Sequence, residues 1–340
     1  MSIGTAQKII QEAFSTIHEL DEIEIDFHGG EIALKFDIVK EICQWLWGEK
    51  RPNPYLCYAS TNGTLIHDNI QSWFYQHRDK FWLGLSLDGT PEMHNANRSN
   101  SFEQIDIDFF RSSWPEQSTK MTISQETLPF LADGVKYIHK LGFRINANLA
   151  FGIDWGNKYF LNSYADQLYS LVEFYLDNPA IELSSLFSFS LAKVGAIVIA
   201  PEKIDAKKWC GCGETMVCYD MGGNRYPCQM FLPSTSAKNG FNILNTIDFQ
   251  NFQNFIDPIC TDCILNSACA TCYGHNYFER GAINIRDKRL CGARKLEALA
   301  ASYLYGNMLL NKLKYKDRLP FSQFEEAFVV AGIKAVQNRL

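Results

Sequence analysis

The chain has 340 residues, with 32 Lys and Arg against 38 Asp and Glu, a formal net charge of −6, and 46% apolar and 14% aromatic residues. This balance suits a folded protein with a sizeable core; it excludes disorder and collagen-like repeats and argues against nucleic-acid or membrane-surface partners. The 11 cysteines are spread unevenly: Cys43 and Cys57 stand alone ahead of Cys210, and all the others fall between Cys210 and Cys291.

In chain order, residues 8–20 carry Ile9, Ile10, Ala13, Phe14, Ile17 and Leu20 at helical spacing, and Ile23, Ile25 and Phe27 then alternate as a strand running into His28-Gly29-Gly30. Helical spacing returns over 34–47 (Val39, Ile42, Cys43, Leu46), and a strand at Tyr55–Thr61 closes on the Asn62-Gly63 turn. Further strands are expected at 81–87, 121–124 and 143–149, with helices over 128–140 and 162–177. The alternation predicts an α/β fold with parallel strands and outer helices, an open or closed barrel. Beyond about residue 200 come short pieces broken by Cys, Gly and Pro, a segment expected to depend on metal rather than apolar packing. A helical stripe reappears over 295–313, and another helix is expected after Pro320.

The N-terminus lacks the pattern of a secretory signal, and the apolar run from Val194 to Ala200 is far too short to span a bilayer. A cytoplasmic protein keeps its thiols reduced, so clustered cysteines there are read as metal ligands; an odd total also counts against a disulfide framework. Cys260-x2-Cys263-x5-Cys269-x2-Cys272 pairs thiolates across tight turns, suited to tetrahedral zinc or to an iron–sulfur cluster, and spacing does not separate the two. Cys210, Cys212, Cys218, Cys228 and Cys291 complete the block, enough for two four-thiolate sites.

Cys210, the Gly223-x4-Cys228 stretch with Tyr226 and Pro227, the compact quartet and the final Cys291 together resemble the SPASM domain of radical S-adenosylmethionine enzymes. The resemblance implies two auxiliary 4Fe–4S clusters. The first would take Cys210, Cys228, Cys272 and one of Cys212 or Cys218; the second would take Cys260, Cys263, Cys269 and Cys291. Two residues separate Cys269 from Cys272, where the common family pattern has three.

The first half resembles the same family. Gly29-Gly30-Glu31 matches its GGE motif at the methionine end of the cofactor, and Ser60 to Leu65, with Asn62, resembles its TNGTL loop. Ser86-Leu87-Asp88-Gly89, with His94 and Arg98, resembles its SLDG…HDxxR stretch, in which Ser and Arg face the cofactor's carboxylate and ribose; Asn95 stands in place of the usual Asp. The resemblance implies a radical S-adenosylmethionine partial barrel over 1–195, a SPASM domain over 200–292 and C-terminal helices over 293–340.

The family's CxxxCxxC loop, which holds the catalytic cluster, is absent from this sequence, since no cysteine precedes Cys43. Cys43 on a helix stripe and Cys57 in a strand are expected to be buried structural thiols. The expectation is that an N-terminal segment with the first strand and the cluster loop has been lost; the alternative is a naturally shortened pseudoenzyme.

The implied partners are a peptide or protein substrate and an electron donor such as flavodoxin or ferredoxin. In sulfatase-maturing relatives an Asp follows the Cys of Gly-x4-Cys as a base, whereas Gln229 stands there and cannot take a proton. A maturase forming thioether or carbon crosslinks in a ribosomal peptide is therefore expected. The alternatives are a non-catalytic member that binds peptide or relays electrons, and a zinc-stabilised α/β protein. His28, His94 and His275 are read as structural hydrogen-bonding residues, and Asp88 and Asp154, at expected strand ends, receive no role.

Overall fold

The computed structural model describes residues 1–18, 20–199, 208–235, 243–315, 319 and 321–340; Ala200 and Pro320 lie outside them. The first helix, α1 (Ile3–Thr16), begins earlier than the stripe suggested because Ser2 caps it, its hydroxyl accepting from the Thr5 N–H at 3.1 Å. It also stops earlier, leaving Leu20 outside the helix and 80% exposed.

Five parallel strands follow: β1 (Ile23–Asp26), β2 (Tyr55–Thr61), β3 (Phe81–Leu85), β4 (Ser118–Ile123) and β5 (Arg144–Leu149). β1, β2 and β3 form one sheet, with Ile25 opposite Cys57 and Ala59 opposite Leu83. β4 and β5 form a second, with Met121 opposite Ala147. A single bridge, Ser86 to Lys120, joins the two sheets, and the Leu87 N–H donates to the Lys120 carbonyl at 2.9 Å. Among the described residues no further strand pairs with β5; the Ser185 hydroxyl instead accepts from the Ala147 N–H at 2.8 Å and sits 3.0 Å from its carbonyl, replacing a ladder rung with a side chain.

Parallel strands need long crossovers, supplied here by α2 (Phe36–Trp47), α3 (Asp68–Gln76), α4 (Pro91–Asn97), α5 (Ile107–Ser113) and α6 (Leu131–Lys140), and α7 (Lys158–Asp177) follows β5. α3, α4 and α5 were not legible as helices because each is short, and α7 starts before its stripe because Asn157 caps it. The result is the expected α/β partial barrel, with a core running through Leu83, Leu87, Met121, Ile123 and Val135.

α8 (Leu191–Ile199) crosses the C-terminal helix at a glycine pair. A Cβ on Gly195 would lie 1.7 Å from the Phe328 carbonyl oxygen, and one on Gly332 would lie 2.0 Å from that of Leu191. The two backbones therefore touch, which only residues without a side chain permit.

The cysteine-rich part carries a two-residue hairpin, β6 (Cys218–Tyr219) with β7 (Arg225–Tyr226), then α9 (Ile243–Thr246) and α10 (Tyr273–Arg280). α11 (Cys291–Leu310), α12 (Lys312–Tyr315) and α13 (Glu326–Arg339) close the chain. The expectation that this part lacks an apolar core is corrected: Tyr226, Phe231, Phe249, Phe255, Tyr273 and Ile283 form a small separate one, with Cys212 and Cys228 inside it. Aromatics scattered through irregular sequence have no period, so this core left no stripe to read.

Candidate functional site

In a parallel sheet all strands point the same way, so the loops following β1, β2 and β3 gather at one edge. Those loops carry Gly29-Gly30-Glu31, Asn62 and Ser86. Glu31 ties two of them together. One of its oxygens accepts from the Thr61 hydroxyl at 2.6 Å and the other from the Asn62 N–H at 3.0 Å. The Asn62 side-chain oxygen in turn accepts from the Thr64 N–H at 2.9 Å and its hydroxyl at 2.8 Å, holding the turn.

Gly29 and Gly30 are exposed, have no positive φ, and would meet nothing within 4 Å if they carried a Cβ. Neither conformation nor packing asks for glycine at these positions. Close approach of a ligand to the backbone would, so the loop fits S-adenosylmethionine by this criterion.

Arg98 finds a partner that sequence reasoning missed. Its Nε and Nη2 donate to the two oxygens of Asp88 at 2.7 and 3.2 Å, and Asp88, only 1% exposed, also accepts from the Thr122 N–H at 2.7 Å. Asp88 thus anchors Arg98 and the end of β4, a role that required knowing β4 lies beside β3. His94 is fully buried beside them. Its Nδ1 accepts from the Asp88 N–H at 3.3 Å and its Nε2 lies 3.1 Å from the Ser101 hydroxyl, while burial holds its pKa down at about 4. It is a neutral structural residue. Ser86 sits in the bridge to β4 and is nearly buried. His28, on the other hand, is exposed.

The thiols fall into two neighbourhoods. Cys212 lies between Cys210 and Cys228; their mutual sulfur contacts raise its proton affinity and lower theirs, that of Cys210 to about 6. Cys272, at the start of α10, lies in the field of Cys228 and Cys210, and Cys218 in that of Cys228; burial raises the pKa of both, that of Cys218 to about 11. The other neighbourhood holds Cys260, Cys263, Cys269 and Cys291, whose thiol–thiol interactions among the described residues stay within this set. Cys263 and Cys269 pack against the main barrel core rather than the small aromatic one. Asp257, 1% exposed, joins this loop to the segment before Cys291 by accepting from the N–H groups of Ile259 at 3.0 Å and Arg286 at 2.9 Å.

No three His, Cys, Asp or Glu side chains among the described residues come close enough to grip one metal ion. Around the Cys260–Cys291 neighbourhood, however, the side-chain donors of Ser267, Arg286 (Nε) and Arg294 (Nε) are buried without an acceptor. Four thiols ringed by unspent donors fit a group whose sulfur atoms accept hydrogen bonds, as an iron–sulfur cluster does. Cys43 and Cys57 are fully buried, and Cys43 is held protonated first by its contact with Cys57 and then by burial. These two form no metal site.

The cysteine-rich part reaches the strand-end face at both ends of the strand order. Cys218 lies in the field of Asp26 at the end of β1, and the His275 ring stacks on Phe151, just past β5, at 4.6 Å. His275, with its pKa lowered mainly by burial, points Nε2 towards Asp287 at 4.0 Å without a hydrogen bond. Asp154 sits in the same loop as Phe151, with one oxygen capping the Gly156 N–H at 3.0 Å.

No family model matches the chain. A cysteine-type anaerobic sulfatase-maturating enzyme of Clostridium novyi (strain NT) is 26% identical over 153 residues, 42% of this chain and 40% of that protein. The match therefore spans less than half of that relative. Among solved structures, histidine-tagged anSMEcpe with bound AdoMet is similar with a TM-score of 0.64 and 15% identity, over 96% of this chain and 89% of that one. Native anSMEcpe with bound AdoMet and the Cp18Cys peptide gives 0.59 and 16%, over 92% and 91%. SuiB of Streptococcus suis gives 0.50 and 16%, over 85% of this chain and 71% of that one. The chain shares the α/β fold of these solved structures and, over part of its length, sequence with the sulfatase-maturating enzyme.

Proposed function

We propose that the chain acts as a radical S-adenosylmethionine maturase on a ribosomally made peptide or protein, forming thioether or carbon crosslinks. The observation that carries this reading is the gathering of the GGE, TNGTL and SLDG loops at one sheet edge, in a chain whose later thiols fall into two neighbourhoods. In this reading Gly29, Gly30, Glu31, Asn62, Ser86 and Arg98 receive the cofactor. Cys210, Cys228 and Cys272, with Cys212 or Cys218, hold one cluster, and Cys260, Cys263, Cys269 and Cys291 the other. The proposed units are 1–195, 200–292 and 293–340, in a cytoplasmic protein served by flavodoxin or ferredoxin.

When bound, S-adenosylmethionine and the clusters supply one-electron chemistry at an unactivated carbon. The chain's own residues position and exclude. Glu31 fixes two loops in register, Asp88 holds Arg98, and the open backbone at Gly29-Gly30 leaves N–H groups free for a ligand. The cysteine-rich part, touching the face near β1 and β5, would keep water from a radical reaction. Gln229 offers no base, which separates this site from sulfatase maturation although a curated relative belongs to that class. Cys43 and Cys57 do not fit the catalytic cluster, and no step is assigned to it.

A second reading is a non-catalytic member that binds peptide or relays electrons. Anaerobic purification with iron, sulfide and zinc analysis tests the cluster assignment: about eight irons and eight sulfides per chain are expected, and a colourless zinc protein would overturn both readings. The coding sequence directly upstream of Met1 separates the two. An in-frame CxxxCxxC supports the enzyme, and a stop codon followed by a ribosome site supports the non-catalytic member.

A further inference from the structure

The two thiol neighbourhoods differ in the charges around them. Arg286 donates from Nη1 to the Cys269 carbonyl at 3.3 Å and from Nη1 and Nη2 to the Asn266 carbonyl at 3.5 Å, and makes no ion pair among the described residues. The oxygens of nearby Asp257 are spent on backbone N–H groups, including that of Arg286 itself. Arg294 lies three residues past Cys291 on the first turn of α11, on the same helix face; its Nη1 donates to Glu297 at 2.6 Å, and Glu297 is shared with the Tyr164 hydroxyl at 2.9 Å. Both guanidinium groups act on the Cys269 thiol, and each keeps a buried Nε without an acceptor.

The other neighbourhood has charges of both signs among the described residues: Asp26 and Asp220 act on Cys218, while Lys208, paired with Glu214 at 2.9 Å, acts on Cys210. A buried guanidinium with incomplete pairing is costly unless an anion completes it. A cluster held by four thiolates is such an anion, and its sulfur atoms would accept from the two orphaned Nε groups.

We propose that Arg286 and Arg294 are positioning residues that stabilise the reduced form of the cluster held by Cys260, Cys263, Cys269 and Cys291. The inference rests on the cluster assignment proposed above. Added negative charge is favoured beside two guanidinium groups whose Nε atoms have no acceptor among the described residues. The couple transfers one electron from a reductant, dithionite in the experiment, with no bond broken and no proton bound.

The test is a potentiometric titration, followed by electron paramagnetic resonance, of the full 340-residue chain reconstituted anaerobically with iron and sulfide. Cys228→Ala, which removes a thiolate from the first neighbourhood, assigns the signals. Arg286→Gln and Arg294→Gln are each expected to make the second cluster about tenfold harder to reduce, about 59 mV for one electron, with the first cluster unmoved. Arg286→Lys, which keeps the charge, should retain most of the potential. If Arg286→Gln does not hold iron, Arg294→Gln decides. Unmoved potentials in a fully iron-loaded protein, equal shifts of both clusters, or a lysine variant that falls as far as glutamine would overturn this inference alone. A protein that takes up zinc and no iron overturns the cluster assignment and this inference with it.

Discussion

The barrel and the cysteine-rich part are held together by different means. The barrel buries strand side chains such as Leu83, Leu87, Met121 and Ile123 between sheet and helices, and spends its buried charge on one fully paired hub, Asp88 with Arg98. The cysteine-rich part has a two-residue hairpin, a small aromatic core and several buried donors left without acceptors. Apolar burial contributes roughly 25 cal/mol per Å2, so the first can stand on packing, whereas the second has structure that a bound group would complete. The contrast teaches that the two halves respond to different insults.

The largest effect should come from stripping iron and sulfide with a chelator. Limited proteolysis is expected to cut first within 208–292 while the strand region stays protected, and uniform digestion would erase the contrast. Next is Asp88→Ala, which strands a partly buried guanidinium and frees the Thr122 N–H. It should cost about 3–5 kcal/mol, read by chemical denaturation, with Asp88→Asn costing less.

Acid comes third. His94 has a folded pKa of about 4, below its ordinary 6.5, so the unfolded chain takes up its proton first. Its contribution is complete above 6.5 and is lost as pH falls towards 4, by about 3 kcal/mol in all. His94→Gln should flatten that part of the stability profile, measured by denaturation midpoints across this window. The smallest effect is Gly195→Ala, which forces α8 away from α13 and should lower stability by about 1–3 kcal/mol. A thermal melt reads it.

Much of the barrel was legible because its elements carry a period. β2 begins and ends where the alternation does, and α6 ends at the expected residue. α1 and α7 ran beyond their stripes because their starts are set by the caps Ser2 and Asn157 rather than by apolar spacing. The aromatic core around Phe231, Phe249 and Tyr273 escaped because residues distant in sequence converge without repeating. At the site, Glu31 and Asn62 could be named from motif order, yet the partners Thr61 and Thr64 were visible only in the folded loops.

The sequence by itself determined the alternation of strands and helices, the loops that carry glycine, and the number and spacing of thiols. These are local properties, set by side-chain period, turn chemistry and covalent spacing. Only the tertiary structure decided that β4 lies beside β3, so that Asp88 takes the Thr122 N–H. It also decided that Cys43 and Cys57 bury against each other, and that Arg286 and Arg294 stand over one thiol set while Asp26 and Asp220 stand over the other. Those pairings join residues whose separation along the chain carries no signal, because burial and charge act through space.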